Sequence, residues 1–477
     1  MSMRLGPARP PAIGLRAMVA TSQPLATRAG LRALERGGNA ADAALAAAAV
    51  LAVCEPMSTG IGGDVFALVY KHGKVSALDA AGPAAAVVDD DTPPVQGPRS
   101  VDVPGAVAGW AAFAERHGRL GLDACLRDAI DAARGGFAVG RHTSRLWSEA
   151  PVVPPELGPI PAFGDRVTLP DLAETLELIA TEGPDAFYRG RIAESICAAS
   201  ELDGADLAGY SPKWVEPLSI RYREIDVLEL PPPTQGVAAL EGLGLYSGME
   251  PGIASRVRAM QLALEDAFEN VRDGADVRSL LETGFLDRRR EARAMTPTMP
   301  DGGTVYLCAV DEDRMAVSFI QSLFMHFGSG VVAPGSGVVL NNRAACFSVN
   351  GRIVPGRRPY HTIIPGMLLR DGELLGPFGV MGGFIQAQAH LQLVSALVDD
   401  GCDPQSALDR PRFRIEGGEV LLEEGLWENA GDLDGLGLTP VLSADSSLFG
   451  AGQAIMVSGD ALVGGSDARR DGYAAGF

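Results

Sequence analysis

The segment AADAALAAAAVLAVCEP, residues 40–56, is alanine, leucine and valine with almost nothing polar on any side. Alanine and leucine favour the helix, Asn39 supplies an N-cap and Pro56 a stop, so one helix is expected. Small side chains on most of its faces leave that helix no solvent face, and it must be buried. It therefore has to lie against a sheet with little separation. The run from Ala40 to Val53 is fourteen residues long and too weakly apolar to span a bilayer.

Around this helix the chain alternates element types. A strand is expected near Ala17 to Ala20, then a helix, LATRAGLRALERGG, started by Thr21 or Ser22 with Pro24 and closed by Gly37 and Gly38. After the glycine loop MSTGIGGD, VFALVY and VSALDA flank the turn HGK as a hairpin. Pro83 to Pro104 reads as an extended connection, followed by helices at Val107 to Arg116, Leu120 to Gly135, Leu172 to Gly183 and residues 186–207. IRYREIDVLELPPP reads as a strand pair, and residues 254–296 as helix with a break near Gly274. From Asp301 the pattern turns to short β-branched and aromatic runs. TVYLCAV, the turn DEDR and MAVSFIQ form a hairpin beginning at Thr304; GVVLNN, TIIPGMLLR, ELLGPFGVM and the stretch from Ala454 to Val463 are further strands, with a helix from Gln386 to Val398 among them. Both element types occur on both sides of residue 303, and no repeat or low-complexity linker divides the 477 residues, which argues for one interwoven globule.

Sixty acidic against forty basic side chains give a formal charge of −20, with no basic cluster able to track a phosphate backbone, so nucleic acid is excluded as the expected partner and an anionic membrane is disfavoured. Six cysteines stand singly, without a CxxC pair, as free and mostly buried thiols of a reducing compartment would. The amino-terminal stretch lacks a continuous apolar core of a secretory signal, and a cytoplasmic location is the expectation.

Three places carry chemistry. Gly302-Gly303-Thr304 is ordinarily a turn before a strand. If the bond before Thr304 breaks, that residue gains beside its hydroxyl an α-amine, a group that ordinarily titrates at about 7.7 to 8.0, and one residue then holds nucleophile and base. Upstream glycines leave the backbone room to bend for that attack. GPFGVMGG, residues 376–383, lacks the lysine and spacing of a nucleotide loop, as does GIGGD at 60–64. A strand ending at Gly382-Gly383 before a helix does present free backbone amides suited to an oxyanion, although a close strand-to-helix turn explains the same residues. Polar residues near these strands, Asn341, Asn342, His361, Thr362, Ser322, Arg357 and Arg358, read equally as loop or surface groups. The six histidines show no HExxH or paired spacing, so no metal is expected, and no GxSxG elbow is present. SDARRDG, residues 466–472, is a polar loop that could bring Arg469 or Arg470 to an anion.

Together MVATSQPLATRAGLRALERGGNAADAALAAAAVLAVCEPMSTGIGGDVFALVY, LELPPPTQG, TVYLCAVDEDRMAVSFIQSLFMHFGSGVVAPGSGVVLNN, GVMGG and GGSDARRDG resemble the γ-glutamyltransferase family in order and spacing, over nearly the whole chain. The resemblance implies an α+β fold, the four-layer αββα Ntn-hydrolase sandwich, and a precursor that matures into a large subunit of residues 1–303 and a small subunit of residues 304–477. It places the nucleophile at Thr304, with cleavage between Gly303 and Thr304, the oxyanion glycines at Gly382 and Gly383, and the hydroxyl that assists the nucleophile at Ser322. The family's serine pair falls on His361 and Thr362. No cofactor is implied, the expected partner is a small-molecule amide carrying a carboxylate, and a homodimer of the mature enzyme is left open.

Departures gather where the family grips the glutamyl head. Ala81, in LDAAGP, stands where a carboxylate-clamping arginine is expected, and Phe324 and Cys346 stand where an asparagine and an aspartate meet the α-amino group. A methyl group cannot replace a bidentate clamp. The resemblance therefore implies poor glutathione turnover and a different amide, unless Arg343, Arg357, Arg358 or Arg469 supplies the carboxylate contact from elsewhere; Asn341 is a further candidate for binding substrate. The rival classes are an unprocessed binding protein, suggested by the opening Thr304-Val305-Tyr306 in place of Thr-Thr-His, and a metal-dependent hydrolase, for which a ligand cluster is missing.

Overall fold

Asn39 starts the alanine-rich helix as its sequence demands. Its side chain accepts the N–H groups of Ala41 and Asp42, and the Asp42 carboxylate takes the Asn39 N–H at 2.9 Å, closing a capping box. Every residue of the helix Ala40–Cys54 is buried. A computed structural model describes residues 9–88, 92–292, 302–349 and 351–477.

The helix lies on a seven-stranded antiparallel sheet whose strands run, edge to edge, Tyr473–Gly476, Met18–Thr21, Gly303–Val310, Ala316–Phe324, Asp64–Lys71, Lys74–Ala80 and Lys213–Val215. A second antiparallel sheet of seven runs Ala12–Gly14, Ala461–Ser466, Ala451–Ser458, Glu373–Met381, Gly366–Arg370, Ile225–Glu229 and Leu218–Tyr222. Strand periodicity assigns the faces. Val305, Leu307 and Ala309, with Val65, Ala67 and Val69, join the core that contains the alanine-rich helix. Tyr306, Cys308 and Val310, with Phe66, Leu68 and Tyr70, point the other way, into a core shared with Leu228, Met367 and Ile455 of the second sheet. The far face of that sheet, including Val227, Phe378, Val380 and Ala454, packs on the helices Gly236–Ser247, Ile253–Asn270 and Ile385–Val398. The order is helix, sheet, sheet, helix: the expected αββα sandwich.

Several expectations shift in detail. The helix Pro24–Glu35 has Gln23 at its N-cap without a side-chain bond, and the Thr21 hydroxyl instead accepts the Gln23 N–H at 3.1 Å. The helical stretch of 186–207 breaks into Asp185–Tyr188, Gly190–Ala199 and Gly204–Ala208. After Ile253–Asn270 the chain turns through Arg278–Leu281 into the short helix Thr283–Arg290, and the remainder of the expected helix, 293–296, lies outside the described residues. GVVLNN contributes only the two-residue strand Val338–Val339. The helix Gly236–Ser247 escapes sequence reading because Gly242 and Gly244 each disfavour a helix interior by about 1 kcal/mol relative to alanine. Packing overrides that propensity: a Cβ at Gly242 would sit 2.6 Å from Met260 Sδ, and one at Gly244 2.6 Å from Ile220 Cδ1. All six cysteines are free thiols, and no helix among the described residues is long and apolar enough to cross a membrane.

Glu55, which ends the alanine-rich helix, is buried and accepts the Ser22 hydroxyl. Burial pushes its carboxyl up to about 7, against the opposing pull of Ser22 and Arg470. A carboxyl whose folded value is raised binds its proton more tightly in the native state, so its contribution falls as pH rises from the unfolded value toward 7. Across that window the loss is about 3 kcal/mol. Urea unfolding between pH 5 and pH 8 should show a smaller fall in stability for Glu55→Gln than for the wild type; equal slopes would contradict this assignment.

Candidate active site

Thr304 lies at an irregularity in the pairing of two strands. Gly303 pairs with Phe324 and Val305 with Gln321, a register shift that brackets Thr304. The Thr304 side chain is buried with its Oγ1 2.7 Å from the Gly303 carbonyl oxygen. Ser322 Oγ donates to the same oxygen at 2.6 Å and accepts the Phe324 N–H at 2.7 Å. The two hydroxyls are 3.4 Å apart. Gln386 Nε2 reaches Thr304 Oγ1 at 3.4 Å while its Oε1 accepts the Ile364 N–H at 3.0 Å, which sets the orientation of the amide. Phe324 has φ +80°, a conformation costing about 1–3 kcal/mol for an aromatic residue, and the Ser322–Phe324 bond helps hold it.

The strand Glu373–Met381 delivers Gly382 and Gly383 to this place. Their φ values, +125° and +68°, require glycine, and space requires it too: a Cβ on Gly383 would lie 2.9 Å from Gly302 N. Behind the turn, His390 Nε2 accepts the Val380 N–H at 3.2 Å, so the ring proton sits on Nδ1 and is donated to Glu229 Oε1 at 2.6 Å. Gln235 Nε2 ties the Thr362 and Gly383 carbonyls together, at 2.6 and 3.3 Å.

A second polar cluster adjoins Phe324. Arg343 Nε donates to Asp64 Oδ2 at 3.0 Å, with both side chains wholly buried, and its guanidinium carbon stands 5.2 Å from the centre of the Phe324 ring. Its Nη1 is 3.8 Å from Cys346 Sγ. Asn341 accepts the N–H groups of Asp102 and Arg343 and fixes this corner. Burial would raise Asp64, but the His361 hydrogen bond and the Arg343 charge hold it below the usual carboxylate range. Burial and Arg343 lower His361, whose Nδ1 lies 2.9 Å from the Pro359 carbonyl oxygen and whose Nε2 lies 3.3 Å from Asp64 Oδ2; a neutral ring donates to one of these acceptors, according to its tautomer.

A gamma-glutamyltranspeptidase family model matches residues 26–477. The chain belongs to the gamma-glutamyltranspeptidase family. It is 33% identical to the glutathione hydrolase-like YwrD proenzyme of Bacillus subtilis, over 98% of this chain and 99% of that one. It is 31% identical to the oxamate amidohydrolase proenzyme of Klebsiella pneumoniae, over 95% and 97%. Among solved structures, a cephalosporin acylase from Bacillus halodurans superimposes with a TM-score of 0.93 at 38% identity, covering 100% of this chain and 98% of that one. The family's Ntn-hydrolase sandwich is the fold described above.

Against that family background, most of the residues singled out by sequence fall into two groups. Thr304, Ser322, Gly303, Gly382 and Gly383 form one contiguous cluster, with Thr362 joined to it through Gln235. Phe324, Asn341, Arg343, Cys346 and His361 form the adjoining one. Arg469 belongs to neither: its guanidinium is engaged by Glu423, Asp467 and the Leu408 and Arg410 carbonyls in a buried network. Arg358 bridges Asp79 and Asp273 in a cleft of about 330 Å³ that Ala81 also lines, and the Arg357 side chain is 64% exposed. Sequence reading missed Asp64, Asp102, Gln235, Gln386 and His390. The one available signal was for Asp64, the carboxylate that closes GIGGD just before the apolar run VFALVY.

Ser322 polarises the Gly303 carbonyl through a hydrogen bond. Replacing it with alanine should slow appearance of two subunits roughly 100- to 1,000-fold, the range of losing one donor to a developing oxyanion, while Ser322→Thr keeps the donor. A time course on denaturing gels checks this; unaltered processing in Ser322→Ala would remove the role.

Proposed function

We propose that the precursor cuts itself between Gly303 and Thr304, and that Thr304 is then the nucleophile of an amidohydrolase without a cofactor. The observation that carries this is the pair of hydroxyls, Thr304 Oγ1 and Ser322 Oγ, both on the Gly303 carbonyl oxygen. Thr304 Oγ attacks the Gly303 carbonyl carbon, the C–N bond breaks as the nitrogen takes a proton, and the acyl group moves to the oxygen. Water then hydrolyses that ester, leaving Gly303 as a carboxylate and Thr304 with a free α-amine. The products are residues 1–303 and 304–477.

In the mature enzyme the α-amine takes the Thr304 hydroxyl proton as Oγ attacks a substrate amide. The amides of Gly382 and Gly383 receive the oxyanion, the amine leaves with the proton, and water or an acceptor amine resolves the threonyl ester. The proenzyme names of the relatives support maturation of this kind, and the acylase and amidohydrolase names support an amide as substrate. The amide we favour is not glutathione. Ala81 offers no clamp, and Phe324 and Cys346 cannot pair with an ammonium as an asparagine and an aspartate would. Free cysteines support a reducing compartment, and with it the cytoplasm.

Intact mass separates the readings. Wild-type protein should give two species, residues 1–303 and 304–477, and Thr304→Ala one uncut chain. A single full-length mass for both would leave a noncatalytic relative.

A further inference from the structure

We propose that Arg343, with Asp102 beside it, receives a carboxylate on the acyl part of the substrate, so that the enzyme takes ω-carboxyacyl amides that need no neighbouring amine. This rests on Thr304 being the nucleophile of the cut enzyme.

Arg343 has no exposed surface, and its Nη2 has no hydrogen-bond partner among the described residues. A charged donor left unmet inside a protein is strongly unfavourable. Two other buried arginines contrast with it: Arg469 and Arg412 direct both terminal nitrogens to carboxylate or carbonyl oxygens. Arg343 is nonetheless held rigidly, by Asp64 at Nε and by Asn341 at its backbone N–H. Such a donor, fixed and unsatisfied, is suited to a group the chain does not itself contain.

Its position relates it to the reacting bond. The guanidinium stands over Phe324, whose ring Cδ2 is 3.3 Å from where a Cβ on Gly302 would be, and whose backbone pairs with Gly303. Cleavage frees the Gly302–Gly303 end from its place beside Phe324 and Gly383, and an acyl chain lying there would extend from Thr304 toward Arg343.

The surroundings suit an anion. Both carboxyl oxygens of Asp102 are buried without a hydrogen bond among the described residues. Burial and the nearby Asp64 push Asp102 well above the usual range, against the pull of Arg343, which favours the protonated form that can donate. Asp64, the ionised carboxylate, is already committed to Arg343 and His361. Burial pushes the Cys346 thiol up to about 12, so no thiolate competes for the guanidinium. Arg343 and a neutral Asp102 are both donors toward a carboxylate, whereas an ammonium would find no free anionic partner in this cluster.

The test uses the p-nitroanilides of glutaric acid and of pentanoic acid, which differ in the terminal carboxylate, with succinyl and adipoyl anilides to find the length. Wild-type kcat/KM should favour the glutaryl anilide, and Arg343→Gln should lower the glutaryl-to-pentanoyl ratio at least 100-fold, with Arg343→Lys partly restoring it. A wild type that treats both alike, or a variant that loses both in proportion, overturns the proposal. Inhibition of the wild type covers the case in which Arg343→Gln does not mature: monomethyl glutarate should compete at far lower concentration than dimethyl glutarate, and equal inhibition overturns the proposal. Subunit masses taken on the same samples keep the questions apart. An uncut wild type defeats the Thr304 reading, whereas a cut enzyme without carboxylate preference defeats only this one.

Discussion

The strand Gly303–Val310 is the constraint on which the rest of the molecule depends. It is paired on both sides, by Met18–Thr21 and Ala316–Phe324. One of its faces packs toward the alanine-rich helix and the other into the core between the sheets. A strand held in four directions cannot slip without moving its apolar side chains out of both cores. Its first peptide is thereby fixed against Ser322 on the neighbouring strand and against the glycine turn of the second sheet. The site is where the two sheets meet.

This arrangement explains why a severed chain can remain one enzyme. Strands from either side of residue 303 stand in both sheets, so the proposed subunits share both sheets of the sandwich and the helix layer over the second. Separating them would expose two cores rather than part an interface. The buried polar pairs serve the same rigidity. His390 gives the Val380 N–H a partner and anchors itself to Glu229, steadying the strand just before Gly382.

Two clusters with different freedom meet at Phe324. Around Thr304 each residue is constrained by backbone chemistry: glycines by positive φ, Ser322 by a carbonyl and an amide it serves together. Around Arg343 the constraint is charge balance, which many sets of side chains can meet. Phe324 and Cys346, which the resemblance sets apart from the family's pattern, both lie in this second cluster. In this chain the guanidinium enters the second cluster from residue 343, on the opposite side of the chain's proposed cleavage point from residue 81.

Much was legible without coordinates. The capped alanine helix, the hairpin that starts at Thr304 and the Gly382-Gly383 turn follow from propensity, periodicity and the φ demands of glycine, all local properties. Strands buried on both faces blurred the alternation, and glycines in Gly236–Ser247 hid a helix, because there packing overrides local preference. By itself the sequence determined the layered class and the family, through the resemblance its motifs carry, and singled out Thr304, Gly382 and Gly383 as candidates. Only the tertiary structure decided which arginine stands beside Phe324, that Arg469 is engaged elsewhere, and that Asp64, Asp102, Gln386 and His390 belong to the site. These are contacts between residues tens to hundreds of positions apart, and their energies depend on burial and on what else competes for each charge.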